Sequence, residues 1–502
     1  MIPLITWFWQ LGRRTEGDLS HAPTAPAVAP LPLSRPWASL PAWVQQCPVT
    51  ARYYELLSPL DWAAFPERST ECRRPGPKPA PRAPFVAAFL VKVAESKRYF
   101  PDLYRFLDEH AALAWLLGFP MPTDADKPII PSAHQLRRVL RTLPAEAAQF
   151  LLTSSVHEVR NTLTEAQQEA FGETVGGDTK HIIAWVEENN LKQSVEERYD
   201  PKKQPKGDPD CRLGVKRSRN RSPNDTDGDS SEDYPTPATN PQPASKAVVE
   251  KERYWGYHTA VIASVLPDGM GDVVLAECTR PFNESDIASF FPLMEQTEQV
   301  LGHRPRNGAF DAAYDAFYVY AYFHEAGGIA AVPLVARRGT NSRTFDEKGM
   351  PLCKAGLAMP AELTYIDRTS TLVPHERARH RCPLLYPTPT GEECPINDPH
   401  WPKGGCTTTI ATSEGARIRI MLDRKSEMYH AIFRQRTTTE RINSQAVELG
   451  IERPRLRNGR SIARLNTLLY VIINLRLRQR IIAKQGQSVS PAAPPPDVAL
   501  AA

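Results

Sequence analysis

Residues 307–315, Asn-Gly-Ala-Phe-Asp-Ala-Ala-Tyr-Asp, decide how this chain folds. A short apolar run ends on an acid, Asp311. An apolar segment at helical spacing follows over 316–326, then a second strand-like run, Ile-Ala-Ala-Val-Pro-Leu-Val, over 329–335. Strand, helix and strand in that order predict two parallel strands joined by a crossover. Open α/β sheets take their ligands at the carboxyl ends of such strands, which is where Asp311 falls.

Upstream, residues 175–185 read as a strand carrying Asp178 in Gly-Gly-Asp-Thr-Lys-His. The strand pattern resumes over 255–265, turns at Pro267-Asp268-Gly269 and returns over 272–277, a predicted hairpin. Residues 286–301 form a helix with Ile287, Phe290, Phe291, Met294 and Leu301 inward. The α/β core is therefore expected over 171–189 and 251–336. Downstream, Phe-Arg-Gln-Arg-Thr-Thr-Thr-Glu-Arg-Ile-Asn-Ser (433–444) reads as a basic helix carrying Glu440, with Phe433, Arg436, Glu440 and Ser444 along one face. An apolar helix over 462–477 closes the sheet. Together these make C-terminal helices within 425–484.

Residues 46–165 read as helical. Ser-Ala-His-Gln at 132–135 is a capping box. It opens a helix with Leu136, Val139, Leu140 and Leu143 on one face and Arg137, Arg138 and Arg141 on the other. This predicts a helical DNA-binding domain, with an ordinary bundle bearing a solvated basic face as the alternative. The Pro/Ala-rich leader (1–45), the polar tract rich in Lys, Asp, Ser and Pro (190–250) and the Pro-rich tail (485–502) are expected to be disordered.

A chain of 502 residues calls for two or more domains. Its net charge of +4 says nothing by itself about nucleic acid. The distribution says more, because Arg434, Arg436, Arg441, Arg453, Arg455, Arg457 and Arg460 face only Glu440, Glu448 and Glu452 in that stretch. Such a patch suits a phosphate backbone, although charge runs are more often solvated faces. The eight cysteines are dispersed, as in a reducing compartment. Met1–Gln10 is apolar with its arginines after it, the wrong order for a secretory signal, and no apolar run reaches the ~18 residues needed to span a bilayer. A soluble, cytoplasmic, nucleoid-associated protein is expected.

Asp178, Asp311 and Glu440 are hard oxygen donors of the kind Mg²⁺ prefers. Two such ions, with Mn²⁺ as a substitute, can activate a water on one side of a phosphodiester and stabilise the leaving oxygen on the other. Each acid has a plainer reading. Asp178 is also a turn residue beside glycine. Asp311 competes with Asp315, which reads as a helix-capping acid. Glu440 is also half of a surface pair with Arg436, worth tenths of a kcal/mol.

In this order the acids resemble the DDE transposases of bacterial insertion sequences. Asp178 in Gly-Asp-Thr-Lys-His is similar to the first family aspartate. Trp255-Gly256-Tyr257-His258 resembles the Tyr-Gly-Tyr-Lys strand that follows it. Asp311 with Tyr314-Asp315 resembles the Asp-x-x-Tyr-Asp pattern at the second aspartate. Arg436 and Glu440 match part of a Tyr-x2-Arg-x3-Glu-x6-Lys signature, with Phe433 in place of its tyrosine and Val447 in place of its lysine. The resemblance implies a ribonuclease H-like mixed sheet flanked by helices, with an N-terminal all-helical domain and an inserted subdomain. It further implies a transposase in which Asp178, Asp311 and Glu440 bind two Mg²⁺. Arg137, Arg138 and Arg141 would meet the terminal repeats, and Arg434, Arg436, Arg441, Arg455, Arg457 and Arg460 the phosphate backbone. Double-stranded DNA is the implied partner and a homodimer the implied active assembly.

Three other functions compete: a transposase-derived protein that binds DNA without cutting, a ribonuclease H-like nuclease that cuts without joining, and a zinc-dependent interaction protein. The last rests on Cys353, Cys382, Cys394 and Cys406 in the insertion (337–424). Four thiols suit zinc. No Cys-x2-Cys pair is present, so the spacing favours buried free cysteines.

Overall fold

Gly176 and Gly177 set how closely the centre of the molecule packs. A Cβ on Gly177 would stand 2.2 Å from Cε1 of Phe310, and one on Gly176 would stand 3.3 Å from the carbonyl oxygen of Gln435. One glycine thus admits an aromatic ring on one face of the strand, and the other admits a helical backbone on the opposite face. The computed structural model describes residues 31–68, 80–124, 126–219, 249–334, 344–368 and 372–488.

The glycines lie on β1 (Thr174–Ile183), the centre of a six-stranded mixed sheet. Its antiparallel partner β3 (Val249–Val265) also pairs with β2 (Arg212–Arg219) and β4 (Asp272–Pro281). On the other side of β1 run two parallel strands, β5 (Asn307–Phe310) and β6 (Ala330–Ala331). The main path is therefore β4-β3-β1-β5-β6, with β2 against the first half of β3. The expected strand–helix–strand unit is present, with α1 (Phe317–Glu325) as its crossover. The protein is a mixed α/β structure with helices on its sheet.

Several expected boundaries move. The leader is ordered from Leu31 onward, because Leu31, Leu33, Leu40 and Val44 are buried in the main apolar core. Residues 1–30 lie outside the described ones. The polar tract is ordered up to Arg219, because it supplies β2 and buries Asp208 and Cys211. Tyr257 donates to Asp208 at 2.7 Å and fixes that loop on the sheet. Residues 220–248 and 489–502 lie outside the described ones.

The last helix, α2 (Gly459–Ser488), is much longer than the expected apolar stretch. It explains why the N-terminal helices are not a separate unit. Val86, Leu90, Leu140 and Leu151 share one buried cluster with Ile182, Trp255, Leu468 and Ile472. Glu277 at the centre is fully buried and receives hydrogen bonds from Thr467, Thr259 at 3.3 Å and Gln149 at 3.3 Å. Helix, sheet and N-terminal region are thus joined by both apolar and polar contacts. A second, three-stranded antiparallel sheet, β7 (Ala361–Asp367), β8 (His375–Arg381) and β9 (Thr407–Ala411), forms the insertion. Among the described residues no helix is long and apolar enough to cross a membrane.

Candidate active site

Register brings the first two acids together. Gly177 on β1 lies beside Phe310 on β5, so the next residues along, Asp178 and Asp311, are neighbours on adjoining parallel chains. Strand alternation puts both on the face that Gly176 leaves open, toward the Glu440 segment. Asp178 sits in mid-strand, as its place within 175–185 leads one to expect. Asp311 follows the last residue of β5 and caps a 3-10 turn, accepting the Ala313 N–H at 2.9 Å.

The third acid arrives on a broken helix. Residues Glu427–Phe433 are α-helical, Arg434–Arg436 are 3-10, and α-helix resumes over Thr437–Glu448. The buried face of the resumed helix is Thr438, Thr439, Ile442, Asn443 and Ala446. Asn443 rather than Ser444 therefore faces the sheet, and its amide donates to Asp178 Oδ2 at 3.1 Å. Glu440 lies on the flank of this face, about half exposed, with Arg436 donating to it at 2.7 Å.

Electrostatics tie these groups into one neighbourhood. Burial pushes the Asp178 carboxyl up to about 6, with Asp311 and Glu440 adding to the rise and Arg436 opposing it. Asp311 is also raised by burial, against the pull of the Ala313 N–H and Arg436. A fourth acid joins them. Asp286 is pushed up to about 6 by burial and then by Asp311 and Asp178. It opens a 3-10 turn, and in sequence an acid in a first helical turn is what any helix start would show. The buried hydroxyls of Thr179 and Tyr314 and the Asn443 Oδ1 have no well-aligned hydrogen-bond partner.

Asp315, the rival of Asp311, has another task. Its side chain is 1 % exposed, takes both ends of the Arg419 guanidinium and accepts Tyr320 Oη at 2.9 Å. It holds the crossover helix to the helix Glu414–Met421, which follows β9 (Thr407–Ala411).

The basic residues divide. Arg137, Arg138 and Arg141 are exposed on Ala133–Thr142, whose N-cap Ser132 accepts the Gln135 N–H. Arg434, Arg457 and Arg460 are exposed as well. Arg441 is a correction. Its guanidinium makes two 2.6 Å hydrogen bonds to buried Asp272, so it anchors the helix to the start of β4 and is not free to hold a phosphate. Trp185, just past β1, was not read as a functional residue. The guanidinium carbons of Arg457 and Arg455 lie 4.9 and 5.7 Å from its ring centre, and Tyr99 meets its edge. The Arg137 guanidinium stands 6.0 Å from Phe100, next to Tyr99. Aromatic rings thus connect the two basic clusters that are far apart in sequence.

Among the described residues, no three or more His, Cys, Asp or Glu side chains form a ready-made metal-binding group. The acids are nonetheless of the right donor type for a hard divalent ion. Their mutual repulsion and the unpartnered Asn443 Oδ1 beside them are what an added cation and its water would relieve. The chain matches no protein-family model, and no curated protein is similar enough to match it.

Proposed function

We propose that the protein is a DNA transposase that cleaves strands at transposon ends and transfers them into target DNA. The observation that carries this is the juxtaposition of Asp178 and Asp311 on neighbouring parallel chains, with Glu440 brought to them by a helix that crosses the sheet. The strand order β4-β3-β1-β5-β6, antiparallel on one side of β1 and parallel on the other, supports a ribonuclease H-like core.

In this reading Asp178 and Asp311 would hold Mg²⁺, with Glu440, now paired with Arg436, as the third carboxylate. When bound, the ions supply an activated water and charge stabilisation at the leaving oxygen. Asn443 orients Asp178 through its amide. Arg436 lies beside the acids as a cation for the phosphate. Trp185 and its arginines lie along the same chain as Asp178, roughly 20 Å away at strand spacing, in position to follow a duplex. A homodimer would pair two DNA ends.

The test is Mg²⁺-dependent cutting and joining on DNA from the flanks of the gene, wild type against Asp311→Asn. Both steps are expected in the wild type and neither in the variant. Cutting without joining would make the protein a nuclease. The Arg436–Glu440 pair favours a second reading, a transposase-derived protein that binds DNA without cutting. Binding of those ends with no cutting in Mg²⁺ or Mn²⁺ would establish it.

A separate measurement addresses the N-terminal helix. Replacing Arg137, Arg138 and Arg141 together by Ala should reduce the slope of log affinity against log salt by about 3. Binding titrations across a KCl series read this directly. An unchanged slope would remove that helix from the interface.

A further inference from the structure

The insertion is a sheet almost without an interior. Leu363, Tyr365 and Ile366 on β7 are 45, 42 and 44 % exposed. Over its described residues from 344 to 411, the buried apolar side chains are only Pro351, Met359, Ala378, Cys382, Leu384 and Ile410. None of the six belongs to the apolar clusters of the molecule. A unit this small and this poorly filled needs another staple, a disulfide or a metal. Every described cysteine is a free thiol.

Folding gathers the thiols that the sequence disperses. Cys353, Cys382, Cys394 and Cys406 line one cavity of about 10 Å³, closed by Leu357 and Leu384. That is room for a single water-sized particle. Three of the four cysteines head tight turns. The carbonyl of Cys353 accepts the Gly356 N–H at 2.9 Å, that of Cys382 the Leu385 N–H at 3.2 Å, and that of Cys394 the Asn397 N–H at 3.1 Å. The fourth follows Gly404 and Gly405, whose φ values of 94° and 80° carry the chain around a bend that side chains resist. A Cβ on Gly405 would fall 2.8 Å from that of Cys382, so the glycine permits the approach of Cys406 to Cys382. Two histidines lie nearby with their Nδ1 atoms bonded, His380 to the Met359 carbonyl and His400 to Asp398, both at 2.8 Å.

We propose that Cys353, Cys382, Cys394 and Cys406 bind one structural zinc ion that holds the inserted three-stranded sheet together. The four side chains do not form a ready-made ligand group. Closure requires the thiols to turn about their Cα–Cβ bonds into the cavity they already line. Each thiol releases its proton as its sulfur takes up the metal, so four protons leave for one Zn²⁺. The complex carries a net charge of −2, and the charged side chains on the same wall, Lys354 and Asp398, are paired with each other at 3.6 Å. The irregular spacing in sequence is no obstacle, because β8 and its flanking turns, not a local Cys-x2-Cys knuckle, deliver the ligands.

The experiment measures metal in the full-length protein kept reduced, then strips it with a chelator and titrates it with Co²⁺. One zinc per chain is expected, with thiolate-to-cobalt absorption of a tetrahedral site at one equivalent. Cys382→Ser and Cys406→Ser should each weaken zinc binding by at least about 10-fold, while Cys47→Ser retains it. Zinc held equally by the wild type and Cys382→Ser would place the metal elsewhere and overturn the proposal. So would a reduced wild type that takes up neither ion. If the serine variants do not fold, the cobalt titration of the wild type decides the matter, and absence of thiolate absorption refutes the site.

Discussion

Asp178→Asn is expected, on the proposed transposase function, to reduce Mg²⁺-dependent DNA cleavage by at least about 10³-fold, while making the metal-free protein more stable at neutral pH. The first effect follows from the charge that a divalent ion loses when a carboxylate ligand becomes an amide, a loss of several kcal/mol of transition-state stabilisation. The second follows from the site itself. Burial, then Asp311 and Glu440, push the Asp178 carboxyl up to about 6. A carboxyl raised on folding contributes stability that is complete below its unfolded value and is lost as pH rises through its folded one. The loss therefore falls between about pH 4 and about pH 6. Asp286, also pushed up to about 6, contributes in the same window. Asparagine carries no charge to desolvate, so the variant should melt higher than the wild type at pH 7.5, and the difference should vanish near pH 4. Adding Mg²⁺ should raise the melting temperature of the wild type and leave that of Asp178→Asn nearly unchanged. Thermal melts with and without the ion at both pH values measure all of this. A variant that melts lower than the wild type at pH 7.5 would mean that the Asn443 hydrogen bond outweighs the repulsion, and that Asp178 is a structural residue.

Asn474→Leu should destabilise the protein by about 3 kcal/mol or more without touching the acids. Asn474 is fully buried on α2. Its Oδ1 accepts the Val274 N–H at 2.9 Å, and its amide donates to the Val274 carbonyl at 2.9 Å and to Ser155 Oγ at 3.0 Å. Val274 lies on β4, which pairs only with β3 among the described residues. One side chain thus takes the place of a further strand at that position and ties the sheet to two helices. Leucine fills a similar volume but leaves the buried Val274 N–H and carbonyl without partners, each costing roughly 1–3 kcal/mol, while the Ser155 hydroxyl keeps its bond to the Leu152 carbonyl at 2.7 Å. Urea denaturation should show a lower midpoint with little change in slope. A loss under about 1 kcal/mol would mean that water reaches the edge of β4 there.

The sheet was largely legible because its signals are local. Pro267-Asp268-Gly269 between two apolar runs predicts the β3–β4 hairpin, and the crossover before Ile329 predicts parallel strands. β2 was not legible, since Arg212–Arg219 is polar and joins the sheet through backbone pairing with the start of β3. Asn443 and Asp286 escaped notice for another reason. Glu440 lies on the flank of its helix, so a face counted from it passes Asn443 by, and an acid in a first turn looks like any helix cap.

Periodicity and turn residues, which act between near neighbours, let the sequence alone determine the mixed α/β class, the order of most strands and the positions of Asp178, Asp311 and Glu440 along the chain. Only the tertiary structure decided which groups meet. Parallel register set Asp178 beside Asp311, buried Asp272 took Arg441 out of the basic patch, and Trp185 linked arginines to an aromatic path. It also collected four scattered cysteines around one cavity. Such contacts depend on register and close approach between distant segments, and spacing along a chain does not encode either one.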